Sequence, residues 1–185
     1  MSSVEQLIEK ARIAQQVYEN YDQGAVDEVV TAVAWALIEP GRNRELSQMA
    51  VETTGLGKIE DKILKNERKT LGLLRDLRGA KSVGVISEDE ELGITEIARP
   101  VGVVAAVTPS TNPVATPTNN TLNALKGRNA IIIAPSPAGE KVCSRLLQYF
   151  HEELRRIGAP VDLIQQLPSP AVSYTHLTLP TICSV

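Results

Sequence analysis

Thr108-Pro109-Ser110-Thr111-Asn112-Pro113 is the stretch of this chain best equipped for chemistry. It sets hydroxyls and one carboxamide directly after an apolar run, Val101–Val107. Asn is a preferred N-cap residue and Pro suits the first helical position, so the spacing predicts a helix capped by Asn112 with Pro113 inside it. The first backbone N–H groups of such a helix are free to meet an anion or a developing oxyanion. With its oxygen on the cap, the Asn112 carboxamide would still donate outward through its NH2. A well-capped loop stiffened by prolines, with no chemistry at all, is the other reading of the same six residues. A second loop, Pro135-Ser136-Pro137-Ala138-Gly139, follows a second apolar run, Ala130–Ala134.

Stepping from these loops to what holds them, each apolar run is followed by a loop and then by a stretch with helical character. Strand, loop, helix, repeated, is the pattern of parallel βαβ units, because parallel strands need a long crossover. Ligands bind such sheets at the carboxyl ends of the strands, here Thr108–Pro113 and Pro135–Gly139. The crossover after the second loop is expected over Gly139–Ile157, and a third strand over Val161–Leu167. Cys143 lies inside that crossover with no base or strained turn beside it, so it reads as a small apolar residue rather than a nucleophile.

The first eighty residues read as helices. Val4, Leu7, Ile8, Ala11, Ala14, Val17 and Tyr18 share one face, and Val26, Val29, Val30, Val33, Leu37 and Ile38 share another. A third helix runs from Asn43 to Gly55 or Gly57, and a fourth from Lys58 to Leu77 turns Ile59, Ile63, Leu73, Leu74 and Leu77 inward. The fourth helix's Lys62, Lys65, Arg68 and Lys69 alternate with acids and read as a solvated face. Ser82–Ile86 and Ile94–Ala98 read as a hairpin around a solvated acidic turn, Glu88-Asp89-Glu90-Glu91.

The ordered set PVGVVAAVTPSTNP, LKGRNAIIIAPSP and GAPVDLI resembles the start of the coenzyme domain in the aldehyde dehydrogenase superfamily. It is most similar to the CoA-acylating branch, over roughly residues 1–170. Thr111 stands before Asn112 where non-acylating members carry an aromatic residue, and Ala134-Pro135-Ser136-Pro137 replaces their Lys segment. Ser136 departs from the His found in a number of acylating relatives. The resemblance implies an α/β fold: N-terminal helices, a hairpin arm, then the first βαβ units of a Rossmann-like sheet, an incomplete aldehyde dehydrogenase fold. It divides the chain into a helical region (1–80), an arm (81–99) through which subunits pair as a homo-oligomer, and the start of the NAD(P)-binding domain (100–171).

It further implies a small aldehyde as substrate, NAD or NADP as cofactor and CoA as co-substrate; acetaldehyde and sulfoacetaldehyde both fit. Asn112 would stabilise the oxyanion, and Thr108, Pro109, Ser110, Thr111, Pro135, Ser136, Pro137 and Gly139 would shape the dinucleotide pocket. The family's nucleophilic cysteine falls downstream of the matching segment. This chain is therefore expected to be an inactive N-terminal fragment of an oxidoreductase that converts aldehyde, CoA and NAD(P)+ to acyl-CoA. Truncation of the sheet is expected to leave Val103, Val107, Ile131 and Ile133 partly exposed or badly packed. The alternative is a noncatalytic nucleotide-binding or scaffold module of similar fold.

Composition fits that class. The 185 residues are 43% hydrophobic and 3% aromatic with a net charge of -3, so neither the basic footprint nor the stacking platforms of a nucleic-acid binder are present. No apolar run approaches a membrane span of ~20 residues, and a cytoplasmic location is expected. The two cysteines, Cys143 and Cys183, and two histidines, His151 and His176, form no metal-ligand spacing. Val172–Val185 has neither helical period nor clean alternation. VSYTHLTLPT within it reads as a translated library adapter, a non-native tail.

Overall fold

The computed structural model describes residues 3–168. The tail expected to be foreign, including His176 and Cys183, lies outside the described residues. Four helices come first: α1 (Ser3–Tyr18), α2 (Gln23–Ile38), α3 (Pro40–Thr54) and α4 (Ile59–Leu77). Local chemistry sets their limits. The Asp22 carboxylate accepts from the Ala25 N–H to start α2, and Glu39 accepts from the N–H groups of Gly41 and Arg42 to start α3. Gly55, at φ 67°, closes α3 in the left-handed conformation that favours glycine.

A hairpin follows, β1 (Gly84–Asp89) antiparallel to β2 (Ile94–Ala98), with a register irregularity between Val85 and Ser87. β1 thus carries pairing into the acidic segment, past the Ile86 end expected from the sequence. The remainder alternates: β3 (Val103–Thr108), α5 (Ala115–Lys126), β4 (Ala130–Pro135), α6 (Glu140–Arg156) and β5 (Ile164–Gln166). A 3-10 turn over Pro137–Gly139 leads into α6, and another over Val161–Leu163 leads into β5. β3, β4 and β5 form a parallel sheet in that order, Thr108 pairing with Pro135 at the carboxyl end. The chain is therefore α/β, as its pattern predicts.

One continuous core runs from α1 through the helices into the sheet, with Tyr18, Leu37, Leu46, Leu125, Ile133 and Phe150 all fully buried. Each such side chain contributes about 1.5–3 kcal/mol by leaving water. All six residues of β4 are buried. This corrects the expectation for Ile131 and Ile133, both 0% exposed: β4 is the central strand, and α1 and α5 both pack against it. The exposed strand is β3, whose Val107 is 75% accessible, while Val103 is half-buried.

The turn from α5 into β4 is fixed by polar side chains. Lys126, almost fully buried, pairs with Asp27 of α2. Asn129 Oδ1 accepts from the N–H groups of Val101 (2.7 Å) and Gly102 (2.9 Å), setting where β3 begins. LKGRNA is thus a structural clasp that aims β3, and with it the Thr108–Pro113 loop.

Candidate functional site

The two loops meet at the carboxyl ends of β3 and β4. The Ser136 N–H donates to the Thr108 carbonyl at 3.0 Å, and a Cβ built on Gly139 would lie 3.1 Å from Pro113 Cβ and 3.0 Å from Ser136 Oγ. A side chain at 139 would push the loops apart, so glycine is what permits their approach. Ser136 Oγ accepts from the Gly139 N–H at 3.2 Å and so caps the 3-10 turn.

Within this junction Thr108, Pro135 and Gly139 are buried. Ser110 and Ser136 are half-buried, and Pro109, Thr111 and Pro137 are exposed. The surface that the loops offer to a ligand is therefore Pro109–Thr111 and Ser136–Pro137. The remaining three candidates hold the loops in place.

Asn112 departs from its expected role. α5 begins at Ala115, its N-cap is Val114, and no side chain caps it. The predicted start at Asn112 and Pro113 is two residues early, because the Asn112 carboxamide has another partner. Lys65 Nζ, on α4, donates to Asn112 Oδ1 at 2.7 Å. An ammonium has donors only, so chemistry fixes which end of the amide faces Lys65. The NH2 is therefore at the other end, free to donate, as the capping argument required by a different route.

α4 corrects a second expectation, that its charges form a solvated face. Leu73, Leu74 and Leu77 pack half-buried against the core as expected, but the buried positions are Lys62, Asn66 and Thr70. Asn66 Nδ2 donates to Asn43 Oδ1 (2.9 Å) and Ser47 Oγ (3.2 Å), and Asn43 Nδ2 donates to the Ile63 carbonyl (3.1 Å). This buried network locks α4 onto α3 and so fixes where Lys65 stands. Lys62 is 8% exposed, and burial, with a further contribution from neighbouring Lys65, holds its pKa below the usual lysine range. Of the charges read as a solvated face, Lys62 is thus buried and Lys65 is engaged. The spacing Lys62, Asn66, Thr70, one helical face of polar residues, was the available signal.

Cys143 is fully buried in α6, and burial pushes its thiol up to about 12. A thiol so protonated is no nucleophile near neutrality. Iodoacetamide at pH 8 should leave Cys143 unmodified in the folded chain and label it fully in denaturant, read by peptide mass spectrometry; rapid labelling of the folded chain would reverse that assignment. Among the described residues no group of His, Cys, Asp and Glu is arranged to hold a metal ion, and no helix is long and apolar enough to cross a membrane.

A parallel sheet with paired polar loops at its carboxyl edge, preceded by helices and a hairpin, is an α/β arrangement of the kind whose ligands bind at the strand ends. The chain belongs to the Aldehyde dehydrogenase family, whose profile matches residues 1–178. That match runs beyond Val172 into the segment expected to be foreign. Over 168 residues the chain is 57% identical to the sulfoacetaldehyde dehydrogenase (acylating) of Cupriavidus necator, covering 91% of this chain and 34% of that protein. It is 41% identical to the succinate-semialdehyde dehydrogenase (acetylating) of Clostridium kluyveri, covering 91% and 37% respectively. The crystal structure of an acetylating aldehyde dehydrogenase from Geobacillus thermoglucosidasius superposes with a TM-score of 0.86 at 39% identity, covering 90% of this chain and 36% of that one. The chain spans about a third of the length of the curated relatives it matches.

Proposed function

We propose that this chain supplies the oxyanion-holding amide and the cofactor-facing loops of a CoA-acylating aldehyde dehydrogenase acting on a small aldehyde. The observation that carries this is the Lys65–Asn112 contact, which leaves a carboxamide NH2 free at the carboxyl edge of a parallel sheet. As charge develops on the aldehyde oxygen, the Asn112 NH2 would donate to it. Lys65, drawing on the amide oxygen, would hold that donor in one orientation and strengthen it.

The loops fit a dinucleotide. Their open residues offer hydroxyls and backbone amides, and no carboxylate stands among Thr108–Pro113 or Pro135–Gly139 to repel phosphates. Ser110, Thr111 and Ser136 would hold NAD or NADP, with Pro109 and Pro137 as apolar walls. The nicotinamide supplies a hydride acceptor, and CoA supplies the thiol that takes the acyl group. Thr108, Pro135 and Gly139 serve the same pocket from beneath, by fixing how closely the loops approach. Residues 100–171 are thus read as the first part of the NAD(P)-binding domain, beside the helical region and the arm. The arm's exposed Val85, Leu92, Ile94 and Ile97 suit subunit pairing.

The nucleophile of this reading is not Cys143. With aldehyde, CoA and NAD+, the 185-residue chain alone should form no NADH, whereas a complete enzyme carrying its residues 3–168 should form NADH and acyl-CoA together. NADH formation by the chain alone would overturn the reading, since it would put the nucleophile within these 185 residues.

A further inference from the structure

α3 touches both halves of the candidate site. Its Ala50 lies beside Lys65 and Asn112, and the helix packs against the Pro137–Gly139 turn. Asn43 and Ser47 tie it to α4 on one side. On another side Glu45 holds α6 with both carboxylate oxygens. Oε1 accepts from Arg145 Nε and Oε2 from the Tyr149 hydroxyl, each at 2.6 Å. The Tyr149 ring is almost fully buried, and two guanidiniums lie over it, Arg42 at 4.7 Å and Arg145 at 4.5 Å from its centroid. Hydrogen bonds from Arg145 first and Tyr149 second hold the Glu45 carboxyl below the usual carboxylate range, so it is charged near neutrality.

This clamp lies where the Ser136–Gly139 loop becomes α6. No side chain caps α6, whose N-cap is Gly139 itself, so the direction of its first turn has to be fixed from elsewhere. At 1.5 Å per residue, Arg145 stands roughly 7.5 Å along the axis from Glu140, where α6 begins. A helix held at that point carries its first turn, and the loop joined to it, along with it. The Glu45 and Arg145 side chains are 43% and 36% exposed, and an ion pair so open to water contributes little stability. What it supplies is direction. We propose that Glu45, acting through Arg145 and Tyr149, is a positioning residue that sets where Ser136 and Pro137 stand and hence how tightly the dinucleotide is held. The identity of the ligand rests on the proposed enzymatic reading, whereas control of the turn rests on the clamp alone. Because the clamp acts on the turn and not on Asn112, it governs cofactor binding rather than the chemical step.

Glu45→Gln is the test, since it keeps the size of the side chain and replaces one of its two accepting oxygens with a donor. In the 15N-labelled 185-residue chain the amides of Ser136, Ala138 and Gly139 should shift, with the denaturant midpoint nearly unchanged. In a complete enzyme carrying residues 3–168, KM for the nicotinamide cofactor should rise about fivefold or more, while turnover at saturating cofactor and KM for the aldehyde stay within about twofold. Tyr149→Phe, which keeps the ring against the guanidiniums, should act in the same direction with a smaller rise. Tyr18→Phe removes a buried bond to the Leu125 carbonyl, away from the turn; it should lower the midpoint and leave the cofactor KM unchanged. A fall in turnover with both KM values raised in Glu45→Gln would mean general loosening and overturn the proposal. So would an equal rise in cofactor KM from Tyr18→Phe. Shifted turn amides in a chain whose complete enzyme forms no acyl-CoA would support the hold of Glu45 on the turn while rejecting the enzymatic reading. Acyl-CoA formation with the cofactor KM unmoved by Glu45→Gln would keep that reading and reject this proposal.

Discussion

Asn112→Ala, in a complete enzyme carrying these residues, is expected to lower turnover about a hundredfold or more, the ~2.7–4 kcal/mol that losing one oxyanion donor costs. Its unfolding free energy should change by only about 0.5–1.5 kcal/mol, the value of one ordinary hydrogen bond. The two effects separate because α5 is not capped by Asn112. The side chain makes one bond, to Lys65, while the bond from the Thr116 N–H reaches the Asn112 backbone carbonyl and survives the substitution. Asn112→Asp sharpens the test. It keeps an oxygen for Lys65, now as an ion pair, and replaces the free NH2 with a second acceptor. Turnover should collapse with stability held or raised. Saturating turnover and denaturant unfolding measured on both variants decide the matter. Unaltered turnover in either would remove Asn112 from the mechanism and leave the loop as architecture.

Where pattern and structure agree, one physical signal dominates. Ala130–Ala134 is a continuous apolar run, so burial on both sides of β4 could be read directly, and the strand runs one residue further to Pro135. Val101–Val107 was legible for the same reason, although β3 starts at Val103, because Asn129 takes the N–H groups of Val101 and Gly102. Boundaries failed where a tertiary contact or an intervening turn overrode local propensity. Asn112-Pro113 is a good helix start by propensity, but a lysine 47 positions earlier in the chain claims the carboxamide, and propensity carries no record of that. The expected third strand over Val161–Leu167 begins with a 3-10 turn after Pro160, which leaves a short β5. α4 misled for a related reason. Interspersed charges usually mark a solvated face, yet its middle face buries Lys62, Asn66 and Thr70 against a polar network from α3. The loops proposed to face the cofactor could be picked out from the sequence. The contact from α4 to Asn112 could not, because it is tertiary.

Arg128 carries the largest expected effect on stability, and it too was visible only as part of a motif. The residue lies at φ 58°, in the left-handed region that a long side chain rarely adopts, and it is almost fully buried. It stays there because its guanidinium joins three elements. Its two terminal nitrogens donate to the Glu19 carbonyl just after α1 (2.7 Å) and to the Ala98 carbonyl at the end of β2 (3.1 Å). Its own carbonyl accepts from Gln15 Nε2 at 3.2 Å. Arg128→Met preserves much of the volume but strands both carbonyls, each losing a charge-assisted bond of about 1.5–3 kcal/mol. A total loss of about 3 kcal/mol or more is expected, a large share of the ~5–15 kcal/mol that holds a typical domain together. Arg128→Lys should recover only part of it, because one ammonium cannot reproduce a planar fork that reaches two carbonyls in different directions. The denaturant midpoint should fall in the order wild type, Lys, Met. Amide exchange should quicken at the base of the hairpin around Ala98 in the Met variant, since that end of the arm loses its anchor. Unchanged exchange there, or a midpoint as high as that of the wild type, would mean that packing alone seats the arm and that the guanidinium is incidental.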